Sequence, residues 1–422
     1  MRPLLPFRHR SAAVRALAGS GALAALLAGA AIAQDVAPPT GRIAYVAGGS
    51  RIGVIRADGG DDRTILALAA PDAGGIGAVA WASDGVTLGF VGAQEALCSV
   101  WQADLYRIAA DGGGPARRIT NGPACGELTG LPTATFLVTV QNRRDAPVEV
   151  ILHAQGLAEP RAARIDAGWQ LTVELPGVAD LGPGVRQLVA ASDGNRTWGM
   201  GSVGADVLPG ERIDAGTIVL DETGVVGLGA QALTWGPDGR ELGFQLGLDT
   251  LRRIAVDAGP VAQGTPLIDP AGGTPPAATT PAWSPDGDRI LYQRFDGPTA
   301  SIDLLRTGTP GPGGMVLPVT LAWGIDWFPD GSGFIVSDAG PLLDSANLLR
   351  VDLETGAVET LTGETDAWAI SPAISPDGRW VAYARTTDPF TPDAPTEIRA
   401  RHLATGVERR VVADGAFPDW AP

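Results

Sequence analysis

One phrase recurs along this chain and ends strands on a turn of fixed chemistry. Its fullest copy is Pro281-Ala282-Trp283-Ser284-Pro285-Asp286-Gly287. Further copies are Ala80-Trp81-Ala82-Ser83-Asp84-Gly85, Trp235-Gly236-Pro237-Asp238-Gly239, Trp327-Phe328-Pro329-Asp330-Gly331 and Ile374-Ser375-Pro376-Asp377-Gly378. Pro presets φ for the first central position of a type I turn, Asp tolerates the second, and Gly accepts the left-handed residue that returns the chain as a hairpin. The Trp before the turn is large enough to fill space between sheets.

Each turn is followed by a short apolar run such as Arg289-Ile290-Leu291-Tyr292 or Trp380-Val381-Ala382-Tyr383. A third strand follows a variable loop (Leu105-Tyr106-Arg107-Ile108; Asn347-Leu348-Leu349-Arg350-Val351), and a glycine turn leads to a fourth. Four strands per unit, at a spacing of about 40–50 residues, predict the blades of a β-propeller. Positions 235, 283, 327, 374 and 420 keep that spacing. The truncated copy Pro418-Asp419-Trp420-Ala421-Pro422 lacks the rest of a unit, while Arg42–Val46, Arg51–Arg56 and Arg63–Leu66 supply three strands with no Trp phrase ahead of them. The expectation is one blade shared between the two ends, six blades in all, and no exposed sheet edge at the closure.

This repeat, with its apolar strand after the turn and its C-terminal closing strand, resembles the six-bladed propeller of the TolB family. Prolyl-oligopeptidase-like propellers use similar repeats, but a hydrolase domain after the propeller is not expected here. The TolB pattern carries an α/β domain before its propeller, whereas about eight residues here separate the expected cleavage site from the first strand. The resemblance implies a module that works by binding.

Between Trp81 and Trp235 the repeat is broken by a step of 154 residues, roughly 105 too many. The excess reads as alternating strands: Phe136–Val140, Val148–Leu152, Trp169–Leu175, Arg186–Ala190 and Gly216–Leu220. They predict an inserted β-sandwich, immunoglobulin-like in architecture, without the Cys-Trp-Cys pattern of immunoglobulin domains. The alternative is a seventh, degenerate blade. The expected organisation is therefore a signal peptide over 1–33, blades 1 and 2 over 34–123, the sandwich over 124–226, and blades 3 to 6 with the closing strand over 227–422.

The signal peptide rests on Arg2, Arg8, Arg10 and Arg15, an apolar Ala16–Ala33 stretch, and Ala31-Ile32-Ala33 before Gln34. No later apolar run is long enough to span a bilayer, so no membrane span is expected after cleavage. The expected location is the periplasm or the exterior. Four of the 31 basic residues and no acid lie in that segment, so the rest is more acidic than the −16 of the full chain. Such a surface repels phosphate backbones, and nucleic acid is not an expected partner. Every basic side chain is Arg. Cys98 and Cys125 fall in loops at the same end of one blade, and an exported chain permits their disulfide.

Outside the leader only His153 and His402 are present, and no nucleophile elbow, H-E-x-x-H or phosphate-binding glycine loop occurs. His153 alternates away from the Val148, Val150, Leu152 face and His402 sits among charges, so both read as surface or packing residues. The long loops Gln94–Gln102, Phe295–Ala300, Ala339–Ala346 and Thr386–Thr396 share the disulfide's end, and elaboration on one face points to a binding surface. Trp101, Trp323, Trp368 and Phe390 in or near them are candidate partner contacts, or else caps on the loops beneath. Asp326 and Asp419 each precede the motif Trp on an innermost strand, where they are either solvated channel carboxylates or ligands to a hard cation such as Ca²⁺. No other cofactor is expected. The favoured expectation is a monomeric, non-catalytic module that binds a protein or envelope component. The alternative is a carboxylate enzyme acting on glycans or lactones, with or without a Ca²⁺ requirement.

Overall fold

The aspartate of each repeat phrase closes its own turn. Asp84, Asp238, Asp286, Asp330 and Asp377 each accept the backbone N–H two residues ahead, at 2.8–3.1 Å. The glycine that follows lies at φ of 65° to 79°, and its N–H returns to the carbonyl three residues back. These five aspartates are thus turn residues, as the local chemistry requires.

The computed structural model describes residues 36–68, 75–95, 98–193, 198–221, 229–247, 250–259, 262–268, 277–309, 311–391 and 394–422. The signal-peptide segment 1–33 and the expected boundary at 226 lie outside them. Pro39–Pro422 form one compact unit, and the fold is all-β: a six-bladed propeller closed by its C-terminal strand, carrying an inserted sandwich.

Blade 1 consists of Ala416–Trp420, Arg42–Ala47, Arg51–Arg56 and Arg63–Ala67, from the axis outward. Its closing pairs are Ile43 with Trp420 and Ala44 with Asp419. Blade 2 is Ile76–Trp81, Thr87–Gly92, Asp104–Ala109 and Arg117–Arg118. Blade 3 opens on Ala230–Trp235, blade 4 on Ala277–Trp283, blade 5 on Ala322–Trp327 and blade 6 on Trp368–Ile374, each continuing through three antiparallel strands. The six innermost strands touch in a closed circle, blade 6 against blade 1. A single parallel bridge from Ala346 to Trp368 joins the sheets of blades 5 and 6.

The core lies between blades. Leu88, Phe90 and Tyr106 of blade 2 pack with Ala44, Ile52 and Val54 of blade 1, and Phe334 and Val336 of blade 5 with Leu291 and Ile302 of blade 4. Full burial of such side chains contributes about 1.5–3 kcal/mol each. Motif residues Trp81, Trp235, Trp327 and Trp420 are all buried in these seams.

The insertion is a seven-stranded sandwich around Phe136, Val138, Val140, Val150, Leu152 and Ile218. One sheet holds Arg161–Ile165, Val148–Ala154, Arg186–Asp193 and Trp198–Asp206 in that order; the other holds Gln170–Ala179, Thr133–Asn142 and Arg212–Leu220. Arg161–Ile165 and Trp198–Asp206 were not legible as strands, one being Ala/Arg-rich and the other broken by glycine. The immunoglobulin likeness is one of architecture alone. Here the first strand is central in its sheet, antiparallel to the fourth and parallel to the seventh, an order different from the immunoglobulin arrangement.

Cys98 and Cys125 form the expected disulfide. It packs with Leu128, Ala179 and Leu181, and so holds the start of the insertion against blade 2. Asn121 completes the joint, accepting from Gln155 of the sandwich at 3.1 Å and from Gln263 of blade 3 at 2.7 Å.

Candidate functional site at the channel mouth

Every innermost strand carries a bulge, and in five of the six it includes the residue three before the motif position. Thr280, Ser371 and Phe417 sit there at φ of 50° to 52°, and Gly324 at 123°. In three of these strands Pro follows at once (Pro281, Pro372, Pro418). Pro needs no ladder partner on an edge strand, and a bulge bends the strand and re-aims its side chains. The channel therefore has a kinked upper wall above a regular lower one.

In the lower wall, alternate blades are stitched together. Asp326 of blade 5 accepts the N–H of Ile374 on blade 6 at 2.6 Å, and that of Trp327 at 2.9 Å. Asp419 of blade 1 accepts from Trp81 of blade 2 at 2.5 Å. At the equivalent place in blade 3, the Thr234 hydroxyl accepts from Trp283 of blade 4 at 3.2 Å. Blades 3 and 5 also reach back: the Trp235 indole donates to the Ala80 carbonyl at 3.1 Å and that of Trp327 to Ala282 at 2.9 Å.

Burial pushes Asp326 up to about 8, with repulsion from Asp419 adding to it, while the two backbone donors pull the other way. Asp419 is pushed up to about 7 by burial, opposed by its backbone donors. Each of these half-buried carboxylates is committed to N–H groups that the innermost edge would leave unpaired. No group of three or more His, Cys, Asp and Glu converges among the described residues in a way that could hold a metal ion.

At the mouth, Trp323, Trp368 and Phe390 meet as three mutually edge-on rings, with centroids 5.4–5.6 Å apart. Their exposures differ. Phe390 is 63% exposed and Trp368 3%. Trp323 is half-buried, and its buried Nε1 has no partner. Two candidate contacts need correction. Trp101 is 2% exposed, lying against Phe244 and in one cluster with Ala190 of the sandwich, so its ring serves the joint inside the molecule. Trp368 likewise supports the ring above it and cannot itself meet a partner.

Charge at this end is one-sided, which reading by residue type missed. The loops joining second to third strands and fourth to first strands lie at the mouth. In blades 4 to 6 they carry Asp344, Glu364, Asp366, Asp388 and Asp414, and no Arg among their described residues. The nearby Arg385 is bound at 2.8 Å by Glu364, and Arg294 at 3.4 Å by Asp303. Exposed apolar side chains share the face: Leu342 (80%), Leu343 (46%) and Phe417 (39%) beside Phe390.

The histidines are structural. His153 is buried with its Nε2 at 3.1 Å from Ser192 Oγ, and His402 Nδ1 lies 2.9 Å from Thr405 Oγ1 with its ring edge-on to Trp380. No helix among the described residues is long and apolar enough to cross a membrane.

No family model matches the chain, and no curated protein does. Solved structures do. TolB from Acinetobacter baumannii aligns over 90% of this chain and 67% of its own, at 15% identity and a TM-score of 0.51. A putative 6-phosphogluconolactonase from Bacteroides uniformis covers 90% of this chain and 98% of its own, at 13% identity and a TM-score of 0.42. A nidogen/laminin complex gives 90% and 98%, at 11% identity and a TM-score of 0.49. What the first likeness shows is the fold, a TolB-like propeller.

Proposed function

We propose that the protein is an exported, non-catalytic propeller module that binds a cationic protein or envelope component at the mouth of blades 4 to 6. The observation that carries this reading is the pairing of exposed Phe390, Leu342 and Leu343 with loops that are acidic and hold no unpaired Arg among their described residues. Apolar anchors supply affinity, and a single sign of charge steers and selects the partner. Export is supported by the N-terminal basic and apolar segment together with the Cys98–Cys125 disulfide, and places the module in the periplasm or outside the cell.

The test is crosslinking capture from envelope extract with the mature protein, repeated with Phe390→Ala and with Asp366→Asn/Asp414→Asn. Both variants should reduce capture of the same partner, and rising salt should do so too. Capture indifferent to the variants and to salt would remove the mouth from consideration.

A second reading has one specific observation behind it. Asp326, pushed up to about 8, holds a proton near neutral pH as a general acid must. It supports a carboxylate enzyme acting on glycans or lactones from the channel. Against it, the Asp326 oxygens already accept two backbone N–H groups. Turnover of a glycan or lactone panel, lost in Asp326→Asn, would establish it, and adding Ca²⁺ or EDTA to the same assay tests a metal requirement.

A further inference from the structure

We propose that two copies of this chain associate through the inserted sandwich, pairing the strand Gln170–Ala179 of each in antiparallel register. That strand is the edge of its sheet, hydrogen-bonded to Thr133–Asn142 on one side, and among the described residues no strand pairs with the other. Natural sheets blunt such edges with charge, Pro or bulges. Here Pro176 and a register shift do so for the second half. The first half, Gln170–Leu175, has neither, and its one charge, Glu174, is paired with Arg212 of its own sheet.

The hydrogen-bond parity is set by the inner neighbour. Asn142 donates to the Trp169 carbonyl at 2.8 Å, so odd-numbered residues face inward. The side chains of Thr139 and Thr172, opposite each other, meet at 2.9 Å, as a pair without mutual backbone bonds should. Gln170, Thr172 and Glu174 therefore turn their N–H and C=O groups outward.

One antiparallel register uses those groups and no others. It sets Thr172 against Thr172 on a two-fold axis and Gln170 against Glu174 on either side. The same register matches the side chains: Thr with Thr, Gln with Glu, Leu171 with Val173, and Trp169 with Leu175, all favourable cross-strand pairs. Trp169 is 69% exposed and Leu171 43%, so both have apolar surface to bury. A surface complementary to itself about a two-fold axis is what a closed dimer needs, and this register is what selects a second copy over an unrelated strand.

The test is sedimentation equilibrium of the mature full chain over a wide concentration range, with two variants. Thr172→Pro removes an outward N–H without costing a ladder bond inside the sandwich, and Thr172→Lys sets two cations face to face on the axis. The wild type should dimerise and both variants should weaken association by more than about tenfold, with unchanged melting. Amide exchange should slow with concentration at Gln170, Thr172 and Glu174 and stay constant at Leu171 and Val173. A wild type that stays monomeric throughout, or a dimer indifferent to both variants, overturns the proposal; in the latter case concentration-dependent protection elsewhere locates the true interface.

Discussion

The carboxylate of Asp326 on blade 5 lies 2.6 Å from the backbone nitrogen of Ile374 on blade 6. An N–H on the innermost edge has no strand to pair with, and an unmade hydrogen bond there costs about 1–3 kcal/mol. The carboxylate accepts it from across the seam, as Asp419 does for Trp81 and Thr234 for Trp283. Blades 1, 3 and 5 thus hold blades 2, 4 and 6.

The first consequence is a pH dependence. Asp326 is raised from 3.8 to about 8 in the folded protein, so the folded state keeps a proton that the unfolded chain releases. Stability from this group is fully present below the ordinary carboxylate value and is lost as pH rises through about 8. Asp419 acts in the same direction up to about 7. Denaturant titrations should show wild-type stability falling as pH rises across this interval, and Asp326→Asn should flatten the slope. An equal slope in the variant would contradict the assignment.

Removal of the closing strand should open the ring. Trp420 is 5% exposed, and its indole donates to the Thr40 carbonyl at 3.0 Å. Deleting Phe417–Pro422 also strips the inner strand from blade 1. A loss of at least about 4 kcal/mol is expected, read as a large fall in melting temperature and rapid proteolysis within blade 1. A truncated protein that melts like the wild type would contradict the closed ring.

Gly324 tests how tightly the upper walls meet. It lies at φ 123°, and a Cβ there would come 2.8 Å from Ser371 Cα and 2.9 Å from Pro372 Cδ. Gly324→Ala should cost about 3 kcal/mol. Gly356, at φ 69° with nothing within 4 Å, is the control, and Ala there should cost about 1 kcal/mol. Equal effects would mean that strain alone, without contact between blades, explains the first.

The disulfide closes a sequence separation of 27 between Cys98 and Cys125. Its loss in Cys98→Ala/Cys125→Ala should cost about 3 kcal/mol. Because it packs with Ala179 and Leu181, the same variant should raise amide exchange in the sandwich near Ala179 before the distant blades 4 to 6 respond.

Blade count, closing strand and turn chemistry were legible because Pro-Asp-Gly turns and two-residue alternation act within a few residues. Asp326 and Asp419 were singled out by their place on innermost strands, yet their role was not legible: their partners, Ile374 and Trp81, are backbone groups 48 and 338 positions away. Trp101 misled for the same reason. A Trp in a long loop looks available until the insertion folds over it. The acidic mouth was hidden because its residues come from four separate loops, each unremarkable alone.

By itself, then, the sequence determined the repeating unit, its turns, the interruption after blade 2 and the meeting of the two ends, all consequences of local φ, ψ preference and apolar period. Tertiary structure alone decided which carboxylate meets which N–H, which aromatic rings reach solvent, and which parity of the Gln170–Leu175 edge faces outward. Those outcomes depend on ring closure and on docking of the sandwich, which bring together groups that no local rule relates.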